Sequence, residues 1–346
     1  MDTEPVEVVT AARGGDESAF AELTGRYRRE LQVHCYRMLG SVEDSEDLVQ
    51  ETFLRAWRRR ETYAGRSTFR AWLYKIATNA CLDLLDRKPR PALPTALPTT
   101  PPTAASPPAD PSAAPLPAVV VPWLQPCPDS VLDPDEVVMS RETVELAFLA
   151  AVQHLPARQR AVLILRDVLG WSAKESAALL ETTVASANSA LQRARVTMRA
   201  HLPARRLDWS PSAPSEEVRA VVTRYMDALE RGDDAGLGTM LREDARCSQA
   251  PWAGGNMTDD PVWYEGRDTL VEAWQPVFRG EHRQEFRCLP TAANGQPAVA
   301  TYIRPPGGTH YQAFGLSVLR LVDGQIAEIT VFGVEMYPLF GLPSSV

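Results

Sequence analysis

The sequence contains few cysteines, and their arrangement builds no recognisable site. Five occur among 346 residues, and no two of them form a CxxC pair: Cys35, Cys81, Cys127, Cys247 and Cys288. An odd number of scattered cysteines argues against both a disulfide framework and a zinc site. We therefore predict a cytoplasmic protein, without metal or cofactor.

Long apolar runs are also missing. The N-terminus, MDTEPVEVV, has neither the basic start nor the apolar stretch of a signal peptide, and no later run approaches the length that spans a membrane. The sequence therefore predicts no membrane partner.

Net positive charge is the third feature that the chain lacks. The net charge is −8, which argues against a nucleic-acid binder until it is divided along the chain. From residue 215 onward, 11 basic residues face 18 acidic ones. In contrast, Arg55–Arg90 holds ten basic and three acidic residues, and Arg158–Arg206 holds nine and three. These two stretches have the local charge of polyanion-binding surfaces.

The first half of the stretch Ser41–Arg90 predicts an amphipathic helix. Its apolar positions recur at helical spacing and comprise Leu48, Val49, Phe53, Ala56 and Trp57. Asp44, Asp47 and Glu51 share another face, where like charges repel one another. This acidic face is either a docking surface or simply a solvated face that suits a helix N-terminus.

The stretch from Phe69 predicts a second helix with a different chemistry. Its predicted buried residues are Phe69, Leu73, Ile76, Ala80 and Leu84. Trp72, Lys75 and Asn79 line another side, where they can stack on a base, hold a phosphate and hydrogen-bond a base edge. The alternative is that the aromatic residues belong only to the core.

Together, DLVQETFLRAWR and STFRAWLYKIATNACLD resemble region 2 of the extracytoplasmic-function group of sigma-70 family sigma factors. The resemblance implies that residues 1–90 bind core RNA polymerase and recognise the −10 element of promoter DNA. The implied polymerase-binding residues are Asp44, Asp47, Leu48, Gln50, Glu51 and Phe53. The implied −10 residues are Arg70, Trp72, Lys75 and Asn79.

Residues 91–133 predict a linker, because about half of the 29 prolines lie between Pro89 and Pro134. Such a composition buries too little apolar surface to offset the entropy lost on ordering. Within it, Val119–Leu124 forms an apolar island. PWLQPCPD resembles a short linker motif of sigma factors that carry an extra C-terminal domain. We predict that this segment docks on a folded part of the protein. The alternative is a linker whose apolar residues make only nonspecific contacts.

Residues 134–206 predict a second helical domain. Val137–His154 is a predicted helix, and Ser172 with Glu175 forms a capping-box sequence. Thr183 can cap a longer helix whose predicted buried residues are Val184, Ala187, Leu191, Ala194 and Met198. A short helix, a tight turn and a longer helix make a helix-turn-helix.

This domain resembles region 4 of the same family, which implies recognition of the −35 element. The implied DNA-binding residues are Ser186, Asn188, Ser189, Gln192, Arg193 and Arg195. Glu181 departs from the family, which usually has glycine in this turn. A carboxylate here can reshape the turn or lie near a phosphate.

After a short linker at 207–214, residues 215–346 predict an α+β domain. Helices are predicted at Glu216–Arg231, near Ala235–Leu241 and at Arg267–Phe278, and period-two runs follow. Asp323-Gly324 is a hairpin signal between two of these runs. The order resembles the SnoaL-like branch of the nuclear-transport-factor-like superfamily, a cone closed by a curved antiparallel sheet. Candidate cavity residues are Trp252, Trp263, Trp274, Tyr302 and His310.

The fold class is thus two all-α domains followed by an α+β cone. The predicted function is an alternative sigma factor, not an enzyme, regulated in cis by contact of its C-terminal domain with regions 2 and 4. The apolar tail Tyr337–Leu342 is the predicted docking element, and the cone can hold an unidentified small ligand. The alternatives are a SnoaL-like cyclase or isomerase, and a helix-turn-helix repressor that acts without polymerase.

Overall fold

The computed structural model describes residues 6–63, 65, 67–90, 121–132, 143–202, 216–279, 283–305 and 307–346. The chain divides into two compact units, and each is described by itself. The N-terminal unit comprises 1–92, 131–136 and 151–200, and the C-terminal unit comprises 93–130, 137–150 and 201–346. Most of the predicted linker 91–133, and all of 207–214, lie outside the described residues. None of the described helices is long and apolar enough to cross a membrane.

The N-terminal unit is helical. Its first four helices are α1 Val6–Arg13, α2 Glu17–Leu39, α3 Val42–Arg58 and α4 Phe69–Arg87. After the linker come α5 Leu146–Gln153, which begins in the C-terminal unit, then α6 Ala157–Leu163, α7 Ala173–Leu179 and α8 Val184–His201. A π-helical turn, Ile164–Val168, continues α6.

Polar side chains mark where these helices begin. Asp16 caps α2 by accepting hydrogen bonds from the backbone N–H groups of Ser18 and Ala19, at 2.9 and 3.0 Å. Ser41 and Thr68 cap α3 and α4 in the same way. The N-terminal boundaries of these helices are thus encoded by local capping residues, which can be recognised in the sequence.

Burial differs from the prediction at a few positions. On α4, Leu85 rather than Leu84 is buried, because Leu85 continues the buried row of Ala77 and Cys81 at four-residue spacing. Val184 is 43% exposed because it is the first residue of α8, ahead of the turn that meets the core. The helix predicted from Val137 begins only at Leu146 among the described residues, and 137–142 lie outside them.

The C-terminal unit combines three helices with one six-stranded sheet. Its elements are α9 Glu216–Arg231, α10 Asp234–Met240, β1 Leu241–Gln249, β2 Val262–Glu265, α11 Arg267–Phe278, β3 Glu285–Ala293, β4 Gln296–Arg304, β5 Gln312–Val322 and β6 Gln325–Phe332. The strand order is β2-β1-β6-β5-β4-β3. The three predicted runs are β4 to β6 and pair antiparallel, but β1 pairs parallel with β6, so the sheet is mixed.

One face of this sheet packs on the helices. The core there includes Tyr225 and Leu229 of α9, Leu270 of α11 and, from the strands, Cys247, Val299, Leu319 and Ile329. Two tight hairpins connect the strands. Asp323-Gly324 joins β5 to β6 with φ of 52° and 73°, and Asn294-Gly295 joins β3 to β4 with φ of 59° and 70°.

Candidate functional site

The acidic face of α3 offers one carboxylate that the fold does not use. Asp44 pairs with Arg90 at 2.5 Å, and Glu51 pairs with Arg55 at 2.8 Å. Asp47 is exposed and, within the described part of the chain, has no ion-pair partner. Asp47 is therefore the acidic side chain of this face that is most available to another molecule.

The other predicted residues of this face divide between surface and core. Gln50 is exposed, Phe53 is half-buried beneath the Arg28 guanidinium, and Leu48 is only 7% exposed. Leu54, which the sequence reasoning missed, is 51% exposed. It lies seven residues after Asp47, on the same face. Continuing the spacing of the acidic residues by one helical turn would have found it.

The predicted −10 face of α4 is partly exposed and closely packed at one end. Trp72 contacts the rings of Tyr63 and Phe69, with centroids at 5.3 and 5.4 Å, yet remains half-buried rather than enclosed. Lys75 and Asn79 are also half-buried on the same side. The face therefore presents an aromatic ring, an ammonium and an amide together.

Arg70, the fourth predicted −10 residue, is held by its own fold. Its guanidinium donates to both Glu30 carboxylate oxygens at 2.9 and 3.1 Å and lies 4.9 Å from the centre of the Tyr74 ring. These contacts orient the guanidinium and neutralise its charge locally, so it is less available to a phosphate than an unpaired guanidinium would be.

The helix-turn-helix is formed by α7 and α8. The capping box predicted at the start of α7 is present in full, with Ser172 and Glu175 bonded reciprocally. Thr183 accepts from the Ser186 backbone N–H at 3.1 Å and begins α8. Each sequence-encoded boundary therefore lies where the motif requires it.

The outward face of α8 carries the predicted −35 residues. All six of them are exposed, whereas four residues between and beyond them are buried: Ala187, Leu191, Ala194 and Met198. Arg195 is held by both Asp167 oxygens at 2.7 and 2.9 Å, and this contact raises the pKa of its guanidinium. Arg193 is exposed and has no ion pair among the described residues. The helix is thus anchored on one side and open on the other.

A buried arginine joins the two helical parts of the N-terminal unit. Arg160 of α6 is 4% exposed and donates to the carbonyl oxygen of Met38. It also donates to the side chain of Gln153 at 2.6 Å and to the carbonyls of Gln153 and Leu155 at 3.0 and 3.1 Å. These oxygens lie at the C-terminal ends of α2 and α5, where helix dipoles favour a cation. Burial, and then Arg90, lowers the pKa of Arg160 to about 9.

In the C-terminal unit, the hairpin of β3 and β4 forms hydrogen bonds with the last part of the linker. The Asn294 side chain accepts from the Cys127 N–H and donates to the Val144 carbonyl, both at 2.8 Å. Backbone bonds join Asn294 to Cys127 and Asp129 to Ala292, and the Asp129 carboxylate accepts from Gly295. We call these contacts the linker clamp. They support the predicted docking of the segment around Cys127.

The same hairpin holds the chain that leads into α5. The side chain of Gln296 accepts from the Leu146 backbone N–H at 3.3 Å, next to the Val144 contact of Asn294. Asn294 is fully buried. The sequence reasoning missed this residue, although Asn-Gly between two apolar runs is a strong hairpin signal.

The five predicted cavity residues are not brought together. Trp252 is 57% exposed in the loop after β1, where its indole donates to Asp259, and His310 is exposed. Trp263 and Tyr302 are buried but lie outside the core between sheet and helices, and only Trp274 packs against that core. A register shift between Thr301 and Tyr302 contributes to this, because it changes which side chains share a face.

The C-terminal tail folds on its own domain. Tyr337 is buried and donates to the carbonyls of Thr301 and Gly315 at 2.6 and 3.0 Å, while the Tyr302 hydroxyl donates to Pro343. The predicted docking element Tyr337–Leu342 therefore has its aromatic anchor in its own sheet, where hydroxyl and ring both find partners.

These surfaces define a helix-turn-helix protein with a second basic helical domain and a fused α+β cone. Three family models match the chain: Sigma-70 region 2 at residues 23–90, Sigma-70 region 4 at 145–198 and a SnoaL-like domain at 222–329. The ECF RNA polymerase sigma factor SigG of Mycobacterium tuberculosis is 41% identical over 337 residues, which cover 96% of this chain and 85% of that protein. The chain belongs to the ECF sigma factors.

Two further proteins are similar over different shares of the chain. The ECF RNA polymerase sigma factor SigW of Bacillus subtilis is 28% identical over 194 residues, 56% of this chain and 94% of SigW. The crystal structure of the M. tuberculosis sigma factor SigJ matches with a TM-score of 0.54 at 22% identity, covering 94% of this chain and 99% of SigJ. The match to SigJ bears on the fold alone. This chain is an RNA polymerase sigma factor that carries a C-terminal SnoaL-like domain.

Proposed function

We propose that α3 docks on core RNA polymerase, that α4 recognises the −10 element and that α8 reads the −35 element of promoter DNA. The observation that carries this proposal is the division of α8: the six candidate side chains are all exposed, and the residues that alternate with them form the core. A helix with this division can lie in a major groove without unfolding its own domain.

The C-terminal domain, in this proposal, modulates sigma activity in cis. The linker clamp supports it, because Asn294 and Gln296 hold the chain on both sides of residues 133–142. The chain they hold leads into α5, the first helix of region 4. Opening or closing the clamp would therefore change how freely region 4 reaches DNA. The contact of this domain with regions 2 and 4, the response to a small ligand and the cytoplasmic location belong to the same proposal.

A non-enzymatic role of the cone is also part of the proposal. The five candidate cavity residues do not line one shared interior site. A groove of about 560 Å³ lies between α10 and α11, but it is lined by other residues, among them Arg267 and Glu272. Of the alternatives, neither an isomerase nor a repressor that acts without polymerase needs an open acidic face on α3. Binding of core polymerase therefore separates this proposal from both.

Replacing Asp47 by lysine should weaken binding to core polymerase at least tenfold. A close charge pair at an interface contributes about 1.5 kcal/mol or more, and reversal turns attraction into repulsion. Asp47 is preferable to Glu51 for this test, because Glu51 supports Arg55 within the fold. A titration of core polymerase with labelled protein measures the effect. Asp86→Lys, an equal reversal at an exposed site of α4, should leave affinity unchanged, and equal affinity for Asp47→Lys would refute docking through this face.

Arg193 and Arg195 should differ in their contribution to the −35 element. Arg193→Ala should cost about 1–3 kcal/mol on the preferred sequence if its guanidinium contacts a base. Arg195→Ala should cost less, because Asp167 already holds that guanidinium. Binding to wild-type and scrambled −35 duplexes measures both losses. Equal losses on the two duplexes would assign Arg193 to the phosphates, and no loss for either variant would remove α8 from the groove.

A further inference from the structure

Lys75 and Glu181 form an ion pair inside the N-terminal unit. The ammonium nitrogen of Lys75, on the proposed −10 face of α4, lies 2.9 Å from a carboxylate oxygen of Glu181, in the turn between α7 and α8. Their side chains are 41% and 72% exposed. The pair is therefore open to solvent and accessible to a competing ligand.

The backbone at Glu181 is unusual for a residue with a side chain. Its φ is +52°, in the left-handed region that glycine adopts at no steric cost. The turn itself is closed by backbone contacts, among them the bond from the Thr182 N–H to the Ala177 carbonyl at 2.9 Å. Glycine would satisfy this geometry better, so turn formation does not account for a glutamate here. The ion pair does explain a glutamate at this position, because the Glu181 carboxylate reaches Lys75.

Neighbouring contacts keep this turn beside α4. The ring of Trp171, just before α7, lies 5.4 Å from the ring of Tyr74, which is fully buried next to Lys75 in sequence. Lys75 also lowers the pKa of the Glu181 carboxyl, first through the hydrogen bond and then through its charge. The carboxylate is thus ionised at neutral pH and placed by packing that does not depend on the ion pair.

We propose that Glu181 is an internal competitor of DNA, whose carboxylate occupies Lys75 until a phosphate of the −10 strand replaces it. A carboxylate and a phosphate offer an ammonium the same kind of charged oxygen acceptor. Region 4 thereby covers a contact of region 2 in the free chain. The inference rests on the proposed role of α4 in −10 recognition and adds how that face is regulated.

The expected strength of this competition is modest. Exposed ion pairs stabilise a structure weakly, which corresponds to about a two- to five-fold effect on an equilibrium. The contact is also screened by salt, since the Debye length falls to about 3 Å at 1 M. An interaction of this size biases Lys75 towards the covered state and still lets promoter DNA displace the carboxylate.

The test is binding of the full chain, without polymerase, to a fluorescein-labelled single-stranded oligonucleotide of mixed sequence, followed by anisotropy. At low salt, Glu181→Gln should bind about two- to five-fold more tightly than wild type, and this ratio should shrink as salt is raised over the range in which binding is still measurable. Glu181→Gly should show the same gain, although it also relieves the backbone. Asp86→Asn, which removes the same charge from an exposed site of α4, should bind less than twofold more tightly.

A double-mutant cycle with Lys75→Gln completes the test. In the Lys75→Gln background, Glu181→Gln should give no gain, because its partner is gone. If Glu181→Gln still tightens binding in the Lys75→Gln background, the competition is overturned. The same holds if Glu181→Gly tightens binding and Glu181→Gln does not. If Lys75→Gln has no effect on binding even in the Glu181→Gln background, the −10 role of Lys75 fails as well. If Lys75 matters and Glu181→Gln changes nothing, only the competition fails.

Discussion

Replacing Arg160 by methionine is expected to lower the free energy of unfolding of the N-terminal unit by about 2–4 kcal/mol. The guanidinium satisfies oxygens of Met38, Gln153 and Leu155 at the ends of two helices. Methionine preserves much of the side-chain volume but leaves these buried acceptors unpaired. It also removes a buried cation, which offsets part of the loss and keeps the estimate below the sum of the lost bonds.

Arg158→Met is the matched control for this prediction, because Arg158 is exposed on the same helix two residues earlier. It should change stability by less than about 0.5 kcal/mol. Chemical denaturation of the full chain, followed by the unfolding transition of the helical unit, compares the two variants. Equal stability of Arg160→Met and wild type would mean that the oxygens at the helix ends find other partners, and that Arg160 does not join α2 to α5.

Replacing Asn294 by glycine is expected to open the linker clamp while preserving its hairpin. Glycine adopts the positive φ of this position, so the turn remains, but the Cys127 N–H and the Val144 carbonyl lose their partner. Two unsatisfied buried groups cost about 2 kcal/mol or more together, which corresponds to a roughly 30-fold shift towards the undocked segment. Hydrogen exchange at the amides of Cys127 and Asp129 should accelerate by about that factor.

Asp323→Gly provides the control, because Asp323 is exposed and occupies the equivalent position of the β5–β6 hairpin, at φ +52°. Asp323→Gly makes the same change in chain entropy but removes no hydrogen bond of the linker clamp. Hydrogen exchange at the Cys127 amide should therefore remain slow. Unchanged exchange in Asn294→Gly would show that the backbone bonds between Asn294 and Cys127 are sufficient, and that the side chain is not the clamp.

Features encoded over a few residues were predictable from the sequence. The stripe of Ala187, Leu191, Ala194 and Met198, the capping box at Ser172 and the hairpin at Asp323 all depend on local spacing, and the structure has each of them. The resemblance to two sigma-70 regions and a SnoaL-like domain rested on longer sequence motifs, and family models of all three match the chain.

Features that depend on tertiary packing were not predictable. Nothing in LPARQR distinguishes buried Arg160 from exposed Arg158, and β1 reads LREDARCSQ, with charges that suit a helix as well as a strand. The cavity residues failed as a set, because strand register and bulges decide which face each side chain joins. Lys75 and Glu181 lie far apart in sequence, and only the packing of α7 beside α4 brings them together.

The most direct test of the account is run-off transcription from a promoter library by purified core polymerase, with the full chain as the only sigma factor. We expect initiation at promoters that share −10 and −35 sequences. At limiting sigma concentration, initiation should fall about tenfold with Asp47→Lys. It should increase with Asn294→Gly, because in the proposed regulation the linker clamp restrains region 4. Absence of polymerase-dependent initiation, or the same promoters and yields with all three proteins, would contradict both the proposed docking face and regulation by the C-terminal domain.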